Sequence, residues 1–579
     1  MVDTLPQPGQ DIGVRVADLS KRARAWLLAV ACMGVTLVIS SMVALNAALP
    51  DIAVETKATQ SQLTWVVDGY TLVLACLLLP AGALGDRYGR RGAMLFGLAL
   101  FTAASAAPLV VTEPLVLIVS RMVAGVGAAF VMPATLSLIT AAYPKDERNK
   151  AIGIWAGVAG SGAALGFLVA GALLHFWSWP SIFWAFTFCA GALFVLTCTV
   201  ASSREHDAAP VDWPGAVLIG GAVAVFVYGV LEAPTRGWAH PVVYGCMAAG
   251  VVMAIAFGAV ELRRRHPLLD VRLFARPDFT TGAVGVTTFF LANFGFFFVA
   301  MQYMQLLLGY SPLQTAFALT PLMVPVLLIS VATPWYLPRI GLRASVATGL
   351  ALIAAGLFYA RTLDIGSPYV DLAVPLLIMA TGIGLCTAPT TSAIMGAVPD
   401  EKQGVASAVN DTTREVGAAL GIALAGSVLA SEYANRLRPQ LDTLPEPVRQ
   451  AASNSLAEAL EVAQRLGPQG LRVAESAQLA FMESMRVSLV VLAAVCAAAA
   501  LFIALWAPGR NGRQFGFLER RIGPGPDLDP AAPAAEAAET GPETGSARDE
   551  LGGPVSGHDD GGVRAAAGDG GQDRTVDNP

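Results

Sequence analysis

The chain has 579 residues, of which 55% are hydrophobic and 14% charged, and a formal net charge of -6. A soluble chain carries about 25% charged residues, so this composition, with a mean hydropathy of +0.59, excludes a soluble globular protein. No basic block points to nucleic acid.

Apolar runs of about 18 residues or more read as transmembrane helices. In chain order they fall at 26–49, 63–84, 93–112, 115–140, 149–174, 179–201, 213–232, 240–262, 279–301, 314–336, 343–362, 370–396, 404–430 and 485–507. These fourteen spans, numbered 1 to 14 below, predict an all-α polytopic membrane protein with both termini on one side. Residues 1–25 form a polar tail without a cleavable signal pattern. Between spans 13 and 14, segment 431–484 spaces Leu456, Leu460, Ala463 and Leu466 helically, which predicts one or two amphipathic helices over the outer mouth. The tail 508–579 is rich in Pro, Gly, Ala and Glu beyond Arg521 and is expected to be disordered. All seven cysteines fall in predicted spans and read as small packing residues, and the five scattered histidines make no metal site.

Spans 2 and 3 are joined by Gly82-Ala-Leu-Gly-Asp-Arg-Tyr-Gly-Arg-Arg-Gly92. An acid, three arginines and four glycines between two apolar segments make a tight, charged turn at one membrane surface. Gly85 and Gly89 permit the turn. Asp86 is placed to accept hydrogen bonds from a facing helix N-terminus or to pair with an arginine. Short loops on the side of this turn hold fifteen Lys and Arg residues, and those opposite hold three, Lys57, Arg236 and Arg361. The positive-inside rule makes the turn side, and with it both termini, cytoplasmic.

The chain also repeats itself at an offset near 255. Residues 162–171 read Gly-Ala-Ala-Leu-Gly-Phe-Leu-Val-Ala-Gly, and 417–426 read Gly-Ala-Ala-Leu-Gly-Ile-Ala-Leu-Ala-Gly. Each run starts 18 residues after a proline followed by charges, Pro144 or Pro399. Gly125-Val-Gly127 with Pro133 parallels Gly382-Ile-Gly384 with Pro389, and Arg339-Ile-Gly341-Leu-Arg343 faintly echoes the turn at 82–92. Spans 1–6 and 9–14 then form two parallel halves, with spans 7 and 8 inserted between them.

The pattern Gly-x-Leu-x-Asp-Arg-x-Gly-Arg-Arg resembles the loop between spans 2 and 3 of major facilitator superfamily transporters. Two halves plus an inserted pair resemble the fourteen-span drug:proton antiporter family within it (EmrB/QacA-like). Asp212-Trp-Pro-Gly215, Gly237-Trp238, Pro267-Leu-Leu-Asp270 and Gly309-Tyr-Ser-Pro-Leu313 are similar to that family's phrasing. The resemblance implies the major facilitator fold, all-α, with two six-helix halves. The expected organisation is a cytoplasmic tail 1–25, a first half 26–201, linking helices with a cytoplasmic loop 202–278, a second half 279–507 carrying the external loop 431–484, and the tail 508–579.

The resemblance also assigns residues. It implies that Gly82, Asp86, Arg87, Gly89, Arg90 and Arg91 form a cytoplasmic gate. Gly153, Gly162, Gly166 and Gly171 on span 5 are similar to the antiporter motif, although Phe167 stands where its proline belongs, and the same spacing serves ordinary helix packing. Arg121 lies inside span 4, in an Arg-x3-Gly-x-Gly setting where Ala124 replaces the usual glutamine. The resemblance implies proton coupling; a buried structural ion pair is the alternative. Asp68, near the outer end of span 2, is placed to load protons from outside, or else remains a carboxylate in interfacial water. In span 1 the sequence Ser40-Ser-Met-Val-Ala-Leu-Asn46-Ala-Ala-Leu-Pro50 matches the family except that Ser41 replaces its membrane aspartate. Trp179-Pro-Ser stands where the family has Trp-Arg-Trp.

Span 9 carries Phe289-Phe-Leu-Ala-Asn-Phe-Gly-Phe-Phe-Phe298 and then Gln302. Aromatics with amides suit a pocket for large apolar compounds, and the far side of the same helix meets lipid. The expected cavity residues are Asn46, Trp65, Tyr70, Asn293, Gln302 and Asn410. Asn410, Asp411, Arg414 and Glu415 gather near the cytoplasmic end of span 13, where charges reach water and the helix end can meet Asp86. The expected function is secondary-active multidrug or antibiotic efflux by proton antiport, in a bacterial inner membrane. The partners are a hydrophobic small molecule, protons and lipid. No cofactor, metal or enzymatic cluster is implied, and no Walker sequence points to ATP. An exporter of a neutral or anionic metabolite or lipid, and a non-transporting sensor or scaffold, are the alternatives.

Overall fold

The computed structural model describes residues 19–58, 60–201, 212–264, 267–441, 445–467 and 470–509. Nearly all of both tails, including the expected disorder of 508–579, lies outside the described residues. Among those residues there is no strand. Fourteen helices are long and apolar enough to cross a membrane: Lys21–Ala47, Gln62–Tyr88, Arg90–Leu109, Pro114–Ala142, Lys145–Phe176, Pro180–Cys198, Trp213–Ala233, Pro241–Glu261, Pro277–Leu307, Leu313–Val331, Thr333–Ala360, Tyr369–Gly396, Gln403–Leu441 and Gly470–Trp506. In hydrocarbon every backbone N–H and C=O needs an internal partner, and a helix supplies it within the segment.

Each expected span is present, and two expectations about their ends are corrected. The expected loop at 337–342 is a reversal at one residue. Gly341 (φ 79°, ψ 167°) leaves helical geometry inside Thr333–Ala360, so residues 333–340 continue span 10 and 342–360 form span 11. Spans 13 and 14 run far past 430 and 485. At 1.5 Å per residue the 39 residues of Gln403–Leu441 reach about 58 Å, against a hydrocarbon core of about 30 Å. Alanine keeps helix propensity high where hydropathy falls, so the helices continue into water. Two short helices, Glu446–Asn454 and Leu456–Leu466, fill the expected amphipathic segment. They pack on each other and on spans 13 and 14, through Leu456, Ala459 and Ala463 and a hydrogen bond from the Tyr433 hydroxyl to the Ala452 carbonyl, 3.1 Å. Their main packing is thus with the second half.

The repeat is visible as repeated packing. A Cβ on Gly162 or Gly166 would meet Ile39 or Ser40 of span 1, and one on Gly417 or Gly421 would meet Thr287 or Leu291 of span 9. Gly97 and Gly127 each oppose the other's carbonyl across spans 3 and 4, as Gly349 and Gly382 do across spans 11 and 12. Small residues let these backbones touch. The contacts pair Gly127 with Gly382, at the same offset of 255 as the span 5 and 13 runs. Gly125 and Gly384 instead face spans 2 and 10, so the Gly-x-Gly runs correspond two residues out of the register read from sequence.

Across the halves, span 13 packs on span 2 and span 5 on span 10. Gly82 opposes the Gly404 carbonyl, and Gly153 opposes the Ser330 carbonyl. Span 7 of the inserted pair fills the seam between spans 2 and 13. A Cβ on its Gly220 would meet the Cys76 carbonyl of span 2, and its Val227 and Val230 share a cluster with Ala419 and Ala423 of span 13.

Candidate functional site

The turn between spans 2 and 3 is built on one glycine. Gly89 has φ 108° and ψ 125°, a sparsely populated conformation that costs an L-residue about 1–3 kcal/mol. Gly85 stays helical, contrary to the sequence reading, and meets only ordinary contact from Ala93. The turn puts Asp86 against the start of span 13. Asp86 Oδ1 accepts from Arg90 Nε at 3.0 Å and from the Gly404 amide at 2.9 Å, and Oδ2 accepts from the Val405 amide at 3.1 Å. Both expected uses of the acid therefore occur together. Arg90 continues across the halves, donating to the Asp400 carbonyl at 3.0 Å, and Arg148 pairs with the Asp400 carboxylate at 3.0 Å. Asp86 and Arg90 are both buried, at 8% and 7% exposure. Breaking such a pair by removing one member costs about 3–5 kcal/mol. Arg87 and Arg91 stay half-buried, and Arg87 lies over the Tyr88 ring at 5.5 Å.

A second charged group lies deep in the first half. Arg121 is 2% exposed. Its NH1 donates to Ser41 Oγ at 2.8 Å, NH2 to the Ser41 carbonyl at 2.9 Å, and Nε to the Val66 carbonyl at 3.2 Å. The Tyr70 ring lies 4.2 Å from its Cζ, and the Tyr70 hydroxyl donates to the Val38 carbonyl at 3.1 Å. Spans 1 and 2 thus converge on one cation of span 4. No carboxylate lies within ion-pair distance of Arg121 among the described residues. The residue that replaces the expected first-span acid is the one that holds the arginine, by neutral acceptors and a ring face. An ion pair, the structural alternative for Arg121, is absent here.

The charges on span 13 are buried, which corrects the expectation that they reach water. Asn410 and Asp411 are fully enclosed, and Arg414 and Glu415 are each 4% exposed. They sit seven or more residues inside a helix whose end is covered by the Asp86 joint. Thr391 donates to Asn410 Oδ1 at 3.1 Å, Asn410 Nδ2 donates to Asp411 Oδ1 at 3.2 Å, and Arg414 NH1 lies 3.5 Å from the same oxygen. The Arg414 guanidinium also faces the rings of Phe290 at 4.7 Å and Trp155 at 5.5 Å. Asp411 Oδ2 and Glu415 Oε2 have no hydrogen-bond partner.

Asp68 faces the inserted pair. One turn before it, Trp65 stacks on Tyr228 of span 7 with centroids 6.3 Å apart. Glu232, one turn after Tyr228, is close enough to act on Asp68 electrostatically and pairs with Arg236. On span 9 Phe289 and Phe296 are in the core, and Phe290, Phe294, Phe297 and Phe298 are half-buried, so none is exposed. Phe290 stacks on Phe294 at 5.9 Å, which meets Phe297 edge-on at 6.3 Å, a string of rings starting at Arg414. Asn293 lies among them, half-buried, with its Oδ1 unpartnered. Gln302 bonds its own helix at the Phe298 carbonyl, just before a π-helical turn, Tyr303–Leu307. Asn46 is exposed and bonds the Val43 carbonyl of its own span. The expected cavity residues therefore do not form one group. Tyr70 joins Arg121, Asn410 joins Asp411, Trp65 joins span 7, and Asn46 stands apart.

The span 5 glycines divide by partner. Gly162 and Gly166 pack within the first half, while Gly153 and Gly171 touch Ser330 and Leu313 of the second. With Phe167 in place of a proline, Lys145–Phe176 is one uninterrupted helix. Sequence reasoning missed Ser41 as the holder of Arg121 and Trp155 as a face for Arg414. Nothing local signals either contact.

A family model of the Major Facilitator Superfamily matches residues 28–422. The chain is 33% identical over 420 residues to the multidrug resistance protein Stp of Mycobacterium tuberculosis, covering 72% of this chain and 78% of that one. It is 31% identical over 488 residues to the multidrug efflux pump LfrA of Mycolicibacterium smegmatis, covering 83% and 96%. Among solved structures, a bacterial homologue of the human lysosomal transporter Spinster shares the fold, with TM-score 0.53, 16% identity, and 84% and 98% coverage. The chain belongs to the Major Facilitator Superfamily, a family of transporters rather than enzymes, and its fourteen spans fit the drug:proton antiporter type within it.

Proposed function

We propose that the chain is a secondary-active drug exporter that works by alternating access and is driven by inward proton flow. The observation that carries this reading is the Asp86 joint. One carboxylate ties the turn of the first half to the N-terminus of span 13 in the second, through bonds that part together when the halves rock. The charge count of the loops makes that face cytoplasmic, so the joint closes the inner gate. The likeness to a bacterial multidrug resistance protein and a bacterial multidrug efflux pump supports drugs as substrates; the substrates are hydrophobic and the location is a bacterial plasma membrane. The substrate meets Asn293, whose side-chain oxygen is unpartnered, and Asn46, Trp65, Tyr70, Gln302 and Asn410 are met in turn along its route as the halves rock. Asp68 and Arg121 serve proton coupling, Asp68 taking the proton from the outer side. Of the span 5 glycines, Gly153 and Gly171 carry the rocking contact between the halves, and Gly162 and Gly166 hold span 5 to span 1.

The test is expression in a host without its own pumps, with accumulation of ethidium and of neutral antibiotics followed before and after the proton gradient is collapsed. Gradient-dependent export that is lost in Asp68→Asn, at normal protein level, is the expected result. Normal pumping by Asp68→Asn removes Asp68 from the coupling. A chain that moves nothing favours the sensor reading. A second reading, export of a neutral or anionic product, is favoured by one observation: Arg121 is held by Ser41 with no acid beside it. Export of neutral antibiotics without ethidium is its expected signature.

A further inference from the structure

Spans 5 and 6 are neighbours in the chain, yet each packs mainly on other helices, span 5 on spans 1 and 10 and span 6 on spans 3 and 1. Between them lies a groove of about 560 Å³. Val158 and Leu165 of span 5 form one wall, Ala192 and Leu196 of span 6 the other, and Thr36 and Ser40 of span 1 the floor. The two floor hydroxyls already donate within the protein, Thr36 to the Cys32 carbonyl at 2.9 Å and Ser40 to the Gly162 carbonyl at 3.1 Å. What remains suits an apolar chain, whose burial there is favourable without any polar partner.

The two ends of the groove differ. At the outer end residues 177–179 join spans 5 and 6, and the buried Trp179 indole donates to Glu55 at 2.6 Å. At the other end no turn joins them. There Trp26 of span 1 donates to Thr199 Oγ1 beyond span 6 at 2.8 Å, and the gap between spans 5 and 6 stays open. Charge follows the opening. Arg22 and Trp26 stand on the same helical stripe as Met33 and Ser40, and Lys150 on that of Val158 and Leu165. Arg24 and Arg148 at these helix ends are paired, with Glu147 and Asp400. Arg22 and Lys150 are exposed and make no ion pair among the described residues. Trp26, also exposed, marks the level of the membrane surface, where indoles gather. From there one leaflet of hydrocarbon reaches about 15 Å to the midplane, or about ten residues of helix. An acyl chain that starts at Trp26 therefore ends over Thr36 and Ser40, and the next residue, Ser41, holds Arg121.

We propose that this groove seats an anionic phospholipid of the cytoplasmic leaflet. One acyl chain lies between spans 5 and 6 against span 1, and the phosphate meets Arg22 and Lys150. The bound chain backs the stretch of span 1 that holds Arg121. The leaflet rests on the orientation proposed above, which the loop charges support; the site itself does not depend on it.

The experiment uses the full chain in nanodiscs of phosphatidylcholine doped with phosphatidylglycerol that carries a diazirine in one acyl chain. A nanodisc offers both lipids to both faces, so neither orientation nor export enters the result. After illumination the cross-links are mapped by peptide mass spectrometry. They are expected to concentrate on the groove-lining peptides of spans 1, 5 and 6, more than with the same probe on phosphatidylcholine. Arg22→Gln and Lys150→Gln should each lower the groove yield about fivefold. Ala192→Trp, which fills the groove from an exposed position, should abolish it and spare cross-links elsewhere. Phosphatidylglycerol should also raise the unfolding temperature of the wild type and leave that of Ala192→Trp unchanged. Equal yields from the two headgroups overturn the proposal, as do cross-links spread evenly over the lipid-facing spans. Displacement of the probe by ethidium or a neutral antibiotic overturns it too, since the groove is then a site for the transported compound. If Ala192→Trp fails to fold, the two surface variants decide alone.

Discussion

The turn between spans 2 and 3 and the turn between spans 10 and 11 share a backbone. Gly89 and Gly341 both take positive φ with extended ψ, and the spans on either side reverse at that residue. At an offset of 252, Arg87, Arg91 and Gly97 also coincide with Arg339, Arg343 and Gly349. The two positions of the ion pair do not. Pro338 stands at the place of Asp86, and Leu342 at that of Arg90. The second turn keeps the glycine that shapes it and arginines at the membrane surface, and it has lost the acid and its partner. Arg343 instead donates to the Ala507 carbonyl at the end of span 14, 2.7 Å, which ties the turn within its own half. Turn geometry and latching are therefore separable properties of the same fold, and the carboxylate that bonds the other half belongs to the first copy.

Asp86→Ala tests this most severely. It leaves the Arg90 guanidinium buried and unpaired, and two amides at the start of span 13 without their acceptor. The expected shift toward the open turn face is about 3–5 kcal/mol, or more than about a hundredfold in population. Spin labels at Tyr88 and Ile340, both exposed, report the separation of the two turns. Asp86→Ala should lengthen that distance, and Pro338→Ala should leave it unchanged. Equal responses at the two sites would remove the asymmetry.

The glycines test what the turns share. Alanine at Gly89 or at Gly341 keeps the chain but not its conformation, at about 1–3 kcal/mol each. Thermal unfolding in detergent should show similar losses for the two variants, while the label distance separates them. An alanine tolerated at Gly341 alone would mean that the second reversal is not held by its glycine.

Much of this comparison was legible in the sequence. Hydropathy marked every span, because burying a polar backbone in lipid leaves few alternatives to a helix. The acid among arginines foretold both of Asp86's bonds. Which arginine it takes was not legible, since Arg90 alone is buried against it, four residues on across the Gly89 turn. The depth of Asp411 and Glu415 was not legible either. Distance from the helix end implied water, but the closed joint covers that end, and the cover comes from the other half of the chain. Ser41 was read as a missing acid, and its contact with Arg121 spans 80 residues, beyond the reach of any local pattern.

The smallest expected effect comes from restoring the lost pair. Pro338→Asp with Leu342→Arg places an acid and an arginine four apart on the second turn, as at Asp86 and Arg90. The neighbours Arg339 and Ile340 are exposed, so the pair forms in high dielectric and is worth about 0–1 kcal/mol. Asp86 gains more because it is buried and because the amides of Gly404 and Val405 point at it, so that the partial positive charge of a helix N-terminus adds to the arginine. The double variant should change the label distance little, and in an Asp86→Ala background it should not restore closure. A full rescue would show that an ion pair within either turn suffices. Its absence would locate the latch in the meeting of one carboxylate with the first turn of span 13.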